Sequence, residues 1–162
     1  MKFVSMLNGQ YIPVDNKLNI KLGIVLIGEK PSDYFLKHPE MKHFGNYNNP
    51  LSLSDMRLQT YIRKYLGKVY ITDMVKTQGK SGADFESEWQ TEPIHRKYLS
   101  EELQRIKPKK IGALGRKVEE LLNSEFPEYK NKIVYLVHPS ATRYPRNLVR
   151  WDEQFKQLLR SK

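Results

Sequence analysis

The sequence predicts an α/β fold, three layers deep, with a central four-stranded parallel sheet between helices and a small β-ribbon near the N-terminus. Two apolar runs carry most of that reading. Gly23-Ile24-Val25-Leu26-Ile27 stops abruptly at Gly28-Glu29-Lys30-Pro31-Ser32, and Ile133-Val134-Tyr135-Leu136-Val137 stops at His138-Pro139-Ser140. Short, β-branched-rich runs that end at Gly or Pro read as buried parallel strands. Between them, strand-like and helix-like segments alternate, as a parallel sheet with crossover helices requires. The loops leaving the carboxyl ends of such strands line the ligand crevice. One loop brings a carboxylate and the other an imidazole to the same sheet edge, a pairing that suits an active site.

The elements follow in order. Residues 3–14 alternate weakly around Asn8-Gly9, a favoured two-residue hairpin turn, and predict the ribbon. The first central strand covers 24–28. After a polar loop with Asn46, Asn48, Asn49 and Pro50, a helix is expected over 54–66, with Ser54 as N-cap and Leu58, Ile62, Tyr65 and Leu66 at helical spacing. The second strand is 68–72. Residues 74–92 have Gly79, Ser81 and Gly82 with few aliphatics, and read as the longest irregular segment, a length usually associated with function or disorder. A helix over 94–106 stops before Pro108, where the pre-proline restriction ends it. The third strand is 110–114, and Gly115 turns directly into a helix carrying Val118, Leu121 and Leu122. The fourth strand is 133–137. A closing helix over 148–159 puts Trp151, Phe155 and Leu158 on one face, a stripe that reads as core.

Length and composition are those expected of a single domain spanning 1–162. At 162 residues a chain buries about 70% of its unfolded surface, enough for one core. With no cysteine, disulfides, iron–sulfur clusters and thiolate zinc sites are excluded. No cofactor is called for, and no metal ligand set stands out. No apolar run approaches the roughly 20 residues of a membrane span, and the first residues lack the apolar stretch of a signal peptide, so a cytoplasmic protein without membrane association is expected. The 28 Lys and Arg against 18 Asp and Glu give a net charge of +10, as for a polyanion partner. The basic residues cluster usefully: Arg143, Arg146 and Arg150 follow the His138 loop with no acid among them. Lys107, Lys109 and Lys110 look instead like an ordinary charged rim at a strand start.

In this order, strand-GEKP, strand-VYITD, strand-ALG-helix and strand-HPS, the chain resembles the uracil-DNA glycosylase superfamily from residue 24 to about 160. The likeness is nearest to the thermophile-type branches, whose first motif reads GE-x-P-G rather than GQDPYH. The resemblance implies a uracil-DNA glycosylase-like fold, a flipped nucleotide in DNA as substrate, hydrolysis of its N-glycosidic bond, and a monomer. It implies that His138 donates a hydrogen bond to the pyrimidine O2 as that oxygen becomes anionic. Glu29 and Asp33 are the carboxylates available to offset charge on the sugar, although Asp33 is equally suited to N-cap a following helix. His38, His43 and His95 sit in polar contexts and read as surface residues.

Three departures from the family qualify this. Lys30 stands where the GQDPYH branch has its water-activating aspartate, and its charge would oppose an oxocarbenium ion. Asp73 stands where the family has a base-reading asparagine. An ionised carboxylate repels the O4 of uracil and suits the N4 amino group of cytosine; Asp73 could also merely cap the loop backbone. Ser32 replaces a tyrosine that blocks a 5-methyl group, leaving room for a 5-substituent. With Gly28, these residues form the implied base pocket, and Phe44 is the implied stacking aromatic, with Tyr34 and Phe35 as rivals. In the loop after His138, Ser140, Arg143, Tyr144 and Arg146 face DNA: Arg143 or Tyr144 as wedge, Arg146 on phosphate. The iron–sulfur cluster of the thermophile-type branches has no ligands here. Two other readings stay open: a weak or inert member of the fold that binds DNA or a protein partner, and an unrelated α/β enzyme of phosphorylated substrates. The second of these lacks a glycine-rich phosphate loop after the first strand.

Overall fold

In a computed structural model, residues 4–7, 10–13, 23–30, 53–67, 69–76 and 85–160 are described. Strands β1 (Val4–Leu7) and β2 (Gln10–Pro13) form the antiparallel ribbon, with Leu7 opposite Gln10. The central sheet contains β3 (Ile24–Gly28), β4 (Tyr70–Asp73), β5 (Lys110–Leu114) and β6 (Ile133–Leu136), all parallel, in the order β4-β3-β5-β6. The chain runs outward from β3 to β4, then returns to build β5 and β6 on the other side. The point where it reverses lies between β3 and β5, where an open α/β sheet forms its crevice.

Helices cover both faces. On one side lie α2 (Phe85–Thr91), α3 (Pro93–Ile106) and α4 (Arg116–Glu125), whose Phe85, Trp89, Leu99, Leu103, Val118 and Leu122 pack on Val25, Ile27, Ile111 and Ala113. On the other lie α1 (Leu53–Tyr61), a π-helical turn (Ile62–Leu66) and α5 (Pro145–Leu159). There Leu58, Ile62, Leu66, Trp151, Phe155 and Leu158 pack on Ile24, Leu26, Val134 and Leu136. Every residue of β3 is buried, which explains its unbroken apolar run. Gly112 in β5 is a packing requirement. A Cβ there would meet Leu26 Cδ2 at 2.5 Å and Leu136 Cδ1 at 2.9 Å.

Several sequence expectations need correction. Residues 85–91 are helical rather than irregular, because the buried anchors are aromatic, Phe85 and Trp89 one turn apart, rather than aliphatic. Ser54 lies inside α1 rather than capping it, and the helix gives way to the π-helical turn at Ile62. The second strand is displaced towards its carboxyl end and takes in Asp73. Helix α5 begins at Pro145, a residue suited to the first helical position, not at 148. Helix α3 ends as expected before Pro108, with Lys107 left-handed and its N–H bonded to the Leu103 carbonyl at 2.9 Å. His95 is buried, not a surface residue. Among the described residues no helix is long and apolar enough to cross a membrane.

Candidate active site

The carboxyl ends of β3, β5 and β6 converge on Gly115. Its backbone has φ +114°, a conformation open to glycine and strained for any L side chain, and its N–H bonds the Leu136 carbonyl at 2.9 Å. A Cβ placed there would lie 3.5 Å from His138 Cδ2 and 3.6 Å from Glu29 Oε1. The imidazole and the carboxylate from opposite ends of the chain therefore flank one bare stretch of backbone, at the reversal point of the sheet. Glu29 is half-buried, and burial raises its pKa, opposed by Lys117 and reinforced by Glu86. Its carbonyl accepts the Val75 N–H at 3.0 Å, extending the β3–β4 pairing past the strand ends.

His138 is held in one tautomer. Its Nδ1 accepts the Ser140 N–H at 3.2 Å and lies 2.7 Å from Ser140 Oγ, so it caps the 3-10 turn Pro139–Arg143. A nitrogen accepting a backbone N–H carries no proton of its own, which leaves the ring's proton on Nε2. Burial lowers the imidazole's pKa and keeps it neutral. The ring therefore offers Nε2–H as a donor. The residue before it is clamped from α5: Trp151 Nε1 donates to the Val137 carbonyl at 2.8 Å, and Gln154 Oε1 accepts the Val137 N–H at 3.0 Å. Farther along, Thr142 Oγ1 bonds the Pro139 carbonyl at 2.6 Å and Asn147 Nδ2 the Ala141 carbonyl at 2.8 Å. These bonds brace a loop that then presents Ser140, Arg143, Tyr144 and Arg146 on the surface. The Arg143 and Arg146 guanidinium carbons lie 5.0 and 5.8 Å from the Tyr144 ring centroid, so an exposed aromatic sits among two cations.

The family model of the uracil DNA glycosylase superfamily matches residues 16–160. The chain belongs to this superfamily. No curated protein matches it. Membership carries a DNA glycosylase-type function in general terms, with DNA as the partner.

For a superfamily member, the environments of Lys30 and Asp73 matter most. The Lys30 side chain is 3% exposed and its Nζ lies 2.5 Å from Glu88 Oε1 in α2. The cation that the sequence sets against an oxocarbenium ion is thus matched by a carboxylate. Asp73 ends β4, opposite Gly28 in register, and is fully buried, with no hydrogen-bond partner for Oδ2 among the described residues. Burial pushes its pKa up to about 7, with Lys76 opposing and Glu102 and Glu29 adding to the rise. It is not a backbone cap through that oxygen.

Beside it lies a buried network that sequence reasoning missed. Lys76 Nζ bonds Glu102 Oε2 and Thr72 Oγ1, both at 2.5 Å. Glu102 also accepts from Thr72 Oγ1 at 2.9 Å and from the Tyr70 hydroxyl at 3.1 Å. The Lys76 N–H bonds His95 Nδ1 at 3.2 Å. Lys76 and Glu102 are 26 residues apart, and in sequence each resembles the many surface charges around it. Of the residues singled out from the sequence, Ser32, Asp33 and Phe44, with Tyr34, Phe35, His38 and His43, lie outside the described residues. Glu29, Gly28, Asp73 and His138 share one sheet edge. Among the described residues no cluster of three or more His, Asp or Glu is arranged to hold a metal.

Proposed function

We propose that the protein hydrolyses the N-glycosidic bond of a flipped uracil or modified pyrimidine in DNA, with His138 and Glu29 as the principal catalytic groups. One observation carries the reading: Ser140 occupies Nδ1 of His138, leaving a neutral imidazole with Nε2–H as donor, across Gly115 from the Glu29 carboxylate. As the C1′–N1 bond breaks, its electron pair passes to the base and positive charge develops on the sugar. Nε2–H stabilises the anion gathering on O2, and the carboxylate offsets the oxocarbenium ion. Water adds to C1′, and the proton it loses balances the one the base finally takes up. Asp33 is a further carboxylate for that charge. Ser140, Arg143 and Arg146 serve the phosphates and Tyr144 the space the base vacates, with Ser32 and Phe44 completing the pocket.

The test is release of free base from oligonucleotides carrying uracil, 5-hydroxymethyluracil, hypoxanthine, 5-hydroxymethylcytosine or cytosine. The expected result is release of a pyrimidine. In His138→Ala the rate should fall on the order of 10²–10³-fold, the value of one oxyanion donor, with DNA affinity nearly unchanged, because the base anion exists only near the transition state. No release from any substrate, or wild-type rates in His138→Ala, would overturn the assignment.

A further inference from the structure

The carboxyl of Asp73 lies at the crevice edge in surroundings that oppose its usual charge. It is fully buried at the end of β4, its Oδ2 has no hydrogen-bond partner among the described residues, and Gly28 opposite brings no side chain to crowd it. Among the described residues, the cation that acts on Asp73 is already committed. Lys76 Nζ is bound to Glu102 Oε2 and Thr72 Oγ1, so Glu102 offsets part of the charge that Lys76 presents to Asp73. The remaining charges facing Asp73 are anionic: Glu29 from the end of β3 and Glu102 from α3. His95, which packs on the Lys76 backbone from α3, has its pKa lowered by burial, opposed by Glu92 at 3.3 Å from its Nε2. A carboxylate in such a place lacks both water and a counter-ion.

We propose that Asp73 reads the pyrimidine edge as a neutral carboxylic acid, and that the Lys76–Glu102 pair is the positioning device that denies it a counter-charge and so keeps it protonated. A carboxylic acid has one acceptor oxygen and one O–H donor side by side, the same pattern as a carboxamide. The acceptor takes N3–H of a 4-oxo pyrimidine and the O–H donates to O4, so the protonated pocket selects uracil-type bases. Loss of the proton leaves two acceptors, which repel O4 and accept instead from an N4 amino group. Base choice therefore turns over with pH, in the neighbourhood of the near-neutral titration that burial gives Asp73. The inference rests on the glycosylase reading, and its test separates the two.

Single-turnover release of uracil and of cytosine from matched oligonucleotides is measured from pH 5.5 to 9, for the wild type, Asp73→Asn and Glu102→Gln. Uracil release should fall about tenfold per pH unit above neutrality in the wild type, while the cytosine-to-uracil ratio rises. Asp73→Asn should lose that limb and keep its uracil preference at all pH values. Glu102→Gln, which uncovers the Lys76 charge, should move the limb to lower pH. A flat wild-type profile, or a limb that survives in Asp73→Asn, overturns the proposal while leaving the activity standing. If no base is released at all, the activity fails, and binding of free uracil followed by NMR decides the reading alone. Tighter binding at pH 6 than at pH 8.5, with no such difference in Asp73→Asn, supports it. No binding, or binding indifferent to pH, overturns it.

Discussion

Trp151 donates its indole N–H to the carbonyl of Val137 at 2.8 Å, one residue before His138. A side chain at the centre of the core is thereby also a fixed point for the candidate catalytic loop. Trp151→Phe retains much of the packing against Tyr61 and Phe155 but leaves that carbonyl without its donor. The cost should be about 1–3 kcal/mol of stability, seen as a lower urea midpoint. Base release should fall more than DNA affinity, because the lost bond positions His138 and not the phosphate contacts. Equal losses in both would show the indole to be packing alone.

The two described histidines share one device. His138 Nδ1 accepts the Ser140 N–H and His95 Nδ1 accepts the Lys76 N–H, and burial lowers both pKa values. A lowered folded-state pKa means that the unfolded chain binds more protons between the two values. Stability is then present above the unfolded pKa of about 6.5 and is lost as pH falls through the folded values. Between pH 7 and pH 5 this loss runs against the gain from Asp73, whose raised pKa favours the folded state as pH falls. The test is therefore a difference: from pH 7 to pH 5 the urea midpoint of His95→Gln should fall less, or rise more, than that of the wild type. Parallel changes would remove His95 from the account.

Gly115→Ala isolates backbone from space. The added methyl would stand at ordinary contact distance from His138 and Glu29, so crowding is not the fault; φ +114° is. The expected loss is on the order of 1–3 kcal/mol, with a fall in base release as the His138 and Glu29 loops shift apart. An unchanged melting temperature would mean that the turn relaxes without strain.

Arg143 and Arg146 stand exposed beside the Tyr144 ring. Replacing both with alanine should weaken binding to all DNA sequences alike and reduce the salt dependence by about one to two units of slope. Fluorescence anisotropy at several salt concentrations measures both. Unchanged affinity and slope would make these cations ordinary surface charges.

The site is legible in sequence only where one segment carries its own meaning. The apolar runs ending at Gly28 and at His138 announce two buried strands and the loops that leave them, and Gly115 announces its turn by standing between a strand and a helix. What stays hidden is pairwise. Lys30 looks like an unopposed cation until α2 brings Glu88 to it, and Lys76 looks like a surface lysine until α3 brings Glu102. His95 has polar neighbours in sequence but is itself buried. Helix α2 is missed because Phe85 and Trp89 anchor it where aliphatic periodicity was the signal sought. Asp73 was recognisable by position, but the near-neutral carboxyl depends on burial that no local pattern reports.

The strand order β4-β3-β5-β6 has a consequence for how the protein is made. Glu29 and Asp73 are synthesised before the imidazole, but β3 has only β4 beside it until β5 emerges. His138 comes later still, and the clamp on Val137 needs Trp151 and Gln154, on the helix that follows. A chain halted before residue 145 would hold both carboxyl groups and the imidazole, with Ser140 on the ring, yet the strand end that carries the ring would lack its clamp. The basic loop would by then be only partly exposed, with Arg146 still to come. The candidate site is therefore completed only when the helix Pro145–Leu159 has docked, after every residue that lines it has been made.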